Sequence, residues 1–270
     1  MEATDAPLFA YYEGIHKEQQ IEEIFHNRLL ESYNNYLIIG RMPECVSSWL
    51  KHKDPAKIAQ IQRELIEVYE NDFSKHNGKV NSGRILMVFR SIVTQLAKSN
   101  EKFMYGAVKE GARARDFEEA IEWLVSAGML NRIYNVSKLE HPLSAFDKLD
   151  QFKLFLFDTG LLKQMAGVDN SAILLKSTYQ FKGPLTENYV LQQLRGQFEV
   201  MRDTSQAEMG KLILCCSAAW RLFLLKQKAV RINRHRPSKN MLQTITLNMQ
   251  SDFQKWDIER TVILPIFRCI

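Results

Sequence analysis

A mainly α chain is what this 270-residue sequence predicts: a helical bundle plus a winged-helix (α+β) domain, with the last seventy residues irregular or poorly packed. Three observations lead there. Apolar residues recur at three- and four-residue steps through most of the first 130 positions, the period of a helix with one buried face. Between residues 84 and 157 a helix, a short helix, a longer helix and two strand-like runs follow one another, the plan of a winged helix. Charge then changes abruptly: residues 1–200 hold 24 Lys and Arg against 26 Asp and Glu, whereas residues 201–270 hold 12 against 5.

The elements follow in order. Residues 15–39 read as a helix with Ile21, Ile24, Phe25, Leu29, Tyr33 and Tyr36 on its stripe, broken by Gly40 and Pro43. Residues 55–76 form a second, with Pro55 in its first turn, where a missing N–H costs nothing. The run "KHNGKVNSG" reads as a loop. Residues 84–98 form a third helix, striped by Ile85, Val88, Phe89, Ile92, Val93 and Leu96. A segment with the cations Lys102, Lys109, Arg113 and Arg115 leads into a helix striped by Phe117, Ala120, Ile121, Leu124 and Val125, which Gly128 ends. "MLNRIYNV" is strand-like, "EHPLSAFDKLD" a loop, and "FKLFLFDTGLLKQMAG" a strand running into a short helix capped by Asp158. Residues 183–196 form a last amphipathic helix. The domains expected are 1–80 (helical), 81–170 (winged helix), 171–200 (the start of an α/β domain) and 201–270 (a tail).

Composition narrows the function classes. With 46% hydrophobic and 25% charged residues the chain is of globular type. It has neither an apolar run of about 20 residues nor a basic-then-apolar leader. Cys45, Cys215, Cys216 and Cys269 have no ligand spacing, so they read as thiols in a reducing cytoplasm. The six histidines (16, 26, 52, 76, 141, 235) show none either. Walker-type GxxxxGK[ST], HExxH, GxSxG and GxGxxG motifs are all missing. The expectation is a non-enzyme without metal or cofactor, and without a membrane partner.

Five ordered segments, "HNRLLESYNNYLIIGRMPECV", "ELIEVYENDFSKH", "KFMYGAVKEGARARDFEEAIEWLVSAGML", "FKLFLFDTGLL" and "KGPLTENYVLQQL", carry a resemblance. Together they resemble the C-terminal half of prokaryotic AAA-type ATP-binding proteins that bear a domain of unknown function after the ATPase. The sequence departs from that pattern at Arg41, where the family has a second glycine before Met-Pro. The resemblance implies a P-loop ATPase, with ATP and Mg, ahead of this region. It also implies a restriction-endonuclease-like α/β domain after it, in which Glu187 would be the helical glutamate preceding the metal-binding acids. Such folds hold a divalent metal between two carboxylates and use a lysine to assist an activated water. Residues 201–270 lack V-D-F and P-V-E-x-K, the two motifs that carry this chemistry.

Back-translation accounts for the loss. If each new codon starts at the third base of the old one, permitted codons across "KLILCC" give V-D-F-V-L-Q. Those across "FLLKQKAVRIN" permit P-V-E-A-K-S-G-K-D-K-S. The expectation is a frame shift near residue 200, so the basic tail follows from reading frame and not from a nucleic-acid partner. On this reading the chain is a non-catalytic fragment of an AAA-type ATP-binding protein, a protein-interaction module; the alternative is a DNA-binding winged-helix adaptor. Lys102, Lys109, Arg113 and Arg115 are the candidate DNA or domain contacts. Glu118, Glu119 and Glu122 on the helix that follows would repel phosphate.

Overall fold

The structure is a computed structural model. It describes residues 6–14, 22–76, 78–98, 102–138, 142–175, 179–195, 200–203, 213–218 and 221–226. Ten helices and five strands lie within these residues. The first two helices are α1 (Ala6–Gly14) and α2 (Glu23–Ile39). Tyr11 of α1 stacks on Phe25 of α2 with ring centroids 3.5 Å apart. Glu22 is extended, so α2 starts later than the periodicity predicts, and residues 15–21 lie outside the described residues. Gly40 ends α2 with φ 70°, donating its N–H to the Tyr36 carbonyl at 2.8 Å.

Two helices follow at once, α3 (Pro43–His52) and α4 (Pro55–His76). Sequence periodicity does not single out α3, which buries only Cys45, Ser48 and Trp49. It is ten residues long, too short for a stripe to declare itself. Cys45 and Trp49 join Ile39, Ile58 and Ile61 in a small cluster of their own.

The winged helix consists of α5 (Gly78–Ala97), α6 (Tyr105–Val108), α7 (Ala114–Ser126), β1 (Leu130–Val136) and β2 (Asp147–Leu156). The loop expected at "KHNGKVNSG" is therefore mostly helix, because α5 begins at Gly78. Asn81 inside it reaches across to Glu119 of α7 at 3.3 Å, a tertiary contact that local turn propensity does not register. α7 stops at Gly128 (φ 72°) in a Schellman arrangement. Gly128 N–H donates to Val125 O and Met129 N–H to Leu124 O.

β1 and β2 pair antiparallel from Leu130↔Leu156 to Tyr134↔Phe152. The register then jumps to Asn135↔Lys148, skipping residues 149–151. The loop predicted over "EHPLSAFDKLD" thus contains a 3-10 turn, Leu143–Phe146, and the first part of β2. One core cluster holds the module together. It includes Val88, Phe89 and Ile92 of α5, Phe117, Ile121 and Leu124 of α7, and Leu130, Phe155 and Leu156 of the strands.

After β2 come α8 (Thr159–Met165), α9 (Asn170–Leu174) and α10 (Lys182–Arg195). The same core takes in Leu161 and Leu162 of α8 and Leu185, Tyr189, Leu191 and Leu194 of α10. Within the part expected to be irregular, the backbone forms β3 (Val200–Asp203), β4 (Ile213–Ala218) and β5 (Arg221–Lys226). β3 joins β1 in parallel through Asn135↔Asp203, and β4 and β5 add antiparallel, in the order β2-β1-β3-β4-β5. Residues 227–270 lie outside the described residues. Among the described residues no helix is long and apolar enough to cross a membrane.

Candidate functional site

The four candidate cations lie along the α5–α7 turn, the connection that runs from Lys102 through α6 to Arg115 in the first turn of α7. Lys102 precedes Phe103, Lys109 caps the C-terminus of α6, Arg113 is the residue before α7, and Arg115 lies in its first turn. All four side chains are exposed, and none is in an ion pair among the described residues. The turn is anchored on both sides. Gln95 of α5 clamps the Met104 backbone twice, donating to its carbonyl at 2.8 Å and accepting from its N–H at 3.0 Å. Phe103 N–H donates to Phe152 O of β2 at 2.6 Å. At the α7 entry, Arg113 N–H donates to the Asp116 carboxylate at 2.8 Å, satisfying a donor that the helix start leaves open.

The outward face of α7 has the opposite sign. Glu118 and Glu119 are exposed, and Glu122 pairs with Arg132 of β1 at 2.6 Å. The Arg132 guanidinium lies 5.2 Å from the Tyr134 ring centroid and 5.6 Å from that of Phe152, so it is held against the sheet. Trp123 packs edge-on against Phe73 at 5.6 Å and is half-buried. The third helix of the winged fold therefore presents a basic entry and an acidic body.

Glu187 sits half-buried in α10, five residues after its start, too far along to cap it. A capping-box role for Glu187, the structural alternative to a remnant nuclease glutamate, does not fit where the helix begins. Lys182 opens α10 and Pro184 lies in its first turn. Thr186 turns its hydroxyl back to the Lys182 carbonyl at 2.8 Å. The same hydroxyl meets Tyr33 Oη at 2.9 Å. Of the histidines, His26 and His52 are exposed and His76 ends α4. The described residues hold no group of three His, Cys, Asp or Glu able to bind a metal ion. His16, His141 and His235 lie outside the described residues.

A second constellation is buried, and only its capping aspartate was legible in sequence. Asp158 Oδ1 accepts from Leu161 N–H at 2.8 Å, the expected cap of α8. Its other oxygen accepts from Arg41 N–H at 2.7 Å, across 117 residues of chain. The fit is tight: a Cβ on Gly40 would sit 2.5 Å from Asp158 Oδ1, and one on Gly160 would sit 2.7 Å from Gly40 N. Gln62 of α4 closes the joint by donating to the Ile38 and Ile39 carbonyls at 2.8 and 3.1 Å. Next to it, Lys163 Nζ donates to Asn170 Oδ1 at 2.6 Å, and Asn170 Nδ2 donates to Pro55 O.

A polar seam continues from this joint to α10. Gln192 Oε1 accepts from both the N–H and the hydroxyl of Thr159, and its Nε2 donates to Tyr36 Oη at 2.8 Å. Asn188 Nδ2 donates to Thr159 Oγ1 at 3.1 Å.

Burial sets the ionisation of this interior. It pushes the Asp158 carboxyl above the usual carboxylate range, against the pull of the Arg41 and Leu161 N–H groups. It pushes the Cys45 thiol up to about 12 and the Lys163 ammonium down to about 8. All three side chains are fully buried. A carboxylate sealed in this way can fasten helices together but cannot meet a substrate.

The chain matches known families in one place. Residues 30–172 fit the model of a domain of unknown function, DUF8612, and the chain belongs to that family. The match runs from α2 through the winged helix and the Asp158 joint into α9. No curated protein and no solved structure is similar to the chain.

Proposed function

We propose that this DUF8612 chain is a non-catalytic protein-interaction module derived from an AAA-type ATP-binding protein. Its winged helix would rest on a P-loop ATPase partner through the turn bearing Lys102, Lys109, Arg113 and Arg115. The observation that carries the reading is the state of that turn: four exposed cations without ion-pair partners, on backbone clamped by Gln95 and Phe152. Holding charges on anchored backbone lowers the ordering cost of docking. An acidic face on α7 disfavours the phosphate backbone at the place where a recognition helix would meet it. The parent's ATP, Mg and nuclease chemistry do not enter, because the motifs that carry them are missing from the sequence.

DNA binding is the second reading, favoured by the position of the same cations at the entry to the third winged helix. One experiment separates the two. The chain is titrated with a 20-base-pair duplex over a range of salt, and in parallel with a P-loop ATPase domain of the AAA type. The interaction reading expects saturable binding to the P-loop domain and no more than weak duplex binding. A duplex affinity falling with a log–log salt slope of about −3 to −4, as when four cations displace counterions, would transfer the assignment to DNA. Sequencing the gene tests the origin of the tail: codons incompatible with the shifted motifs would end the frame-shift reading.

A further inference from the structure

We draw no further inference here: the strongest candidate, the groove along α2 beside α9, lined by Ile24, Asn27, Arg28, Glu31, Asn34 and Leu174, is a helix face open to solvent, and nothing in the structure shows what covers it.

Discussion

Asp158 shows how a capping residue acquires a second task. Its cap is local, three residues long, and so could be read from "DTGL". Its bond to Arg41 N–H closes over 117 residues and leaves no trace in any short pattern. Replacing it with Asn keeps the shape but turns one accepting oxygen into a donor facing an N–H. The expected loss is roughly 1–3 kcal/mol in urea denaturation, the cost of an unmade buried bond.

Lys163 gives a pH prediction with a definite sign. Its folded value of about 8 lies below its ordinary 10.5, so the unfolded chain holds more protons between the two. Its contribution to stability therefore rises with pH across that window and is lost as pH falls through 8. Cys45 works the other way: its thiol titrates near 9.0 when exposed and about 12 when buried, so stability falls with pH over that range. The wild type alone mixes these effects. The Lys163 charge also acts on Cys45, so the comparison is made in a Cys45→Ala background. There the difference in unfolding free energy between Lys163 and Lys163→Met isolates the lysine. It should shift toward the Lys163 form, by on the order of 3 kcal/mol, between pH 7 and 10.5. A difference flat with pH would show that Lys163 is not buried as described.

At the scale of elements, long stripes were legible and short or contact-dependent ones were not. α4 and α7 each carry several turns of apolar period. α3 is brief, and the start of α5 makes a tertiary contact, Asn81 to Glu119, that local pattern does not register. Gly128 was legible because a left-handed stop belongs to the helix itself. Gly128→Ala keeps open space around the new methyl but forces it into φ 72°, so a loss of about 1 kcal/mol is expected by thermal melting. The exposed turn behaves differently. Arg113→Glu with Arg115→Glu should leave stability within about 0.5 kcal/mol, since both side chains are exposed and unpaired. The pair should still weaken capture of the P-loop domain at least tenfold, read by calorimetry. Unchanged capture would remove the turn from the proposed contact.

Across the whole molecule, periodicity showed that α10 exists but not where it belongs. The resemblance made it the opening of another domain. The structure puts Tyr189 and Leu191 into the core shared with the winged helix, and runs the seam of Gln192, Thr159 and Tyr36 between them. A seam built from amides and hydroxyls carries no hydrophobic period, so no stripe could have announced it. If residues 201–270 are out of frame, a chain ending at residue 200 should keep one cooperative unfolding transition. Its formal charge falls from +5 to −2, because the tail's surplus of seven cations is removed. Loss of cooperativity in that shortened chain, followed by circular dichroism, would assign the tail a structural part.

The crossing of Gly40 and Gly160 has a consequence for ancestry. A Cβ on Gly40 would strike the Asp158 carboxyl and one on Gly160 would strike the Gly40 backbone, so drift at either position is blocked for as long as the joint stands. Diverged descendants of this chain are therefore expected to keep both glycines, some 120 positions apart, after the surrounding letters have become unrecognisable. A spaced pair of that kind can mark kinship where overall similarity has faded.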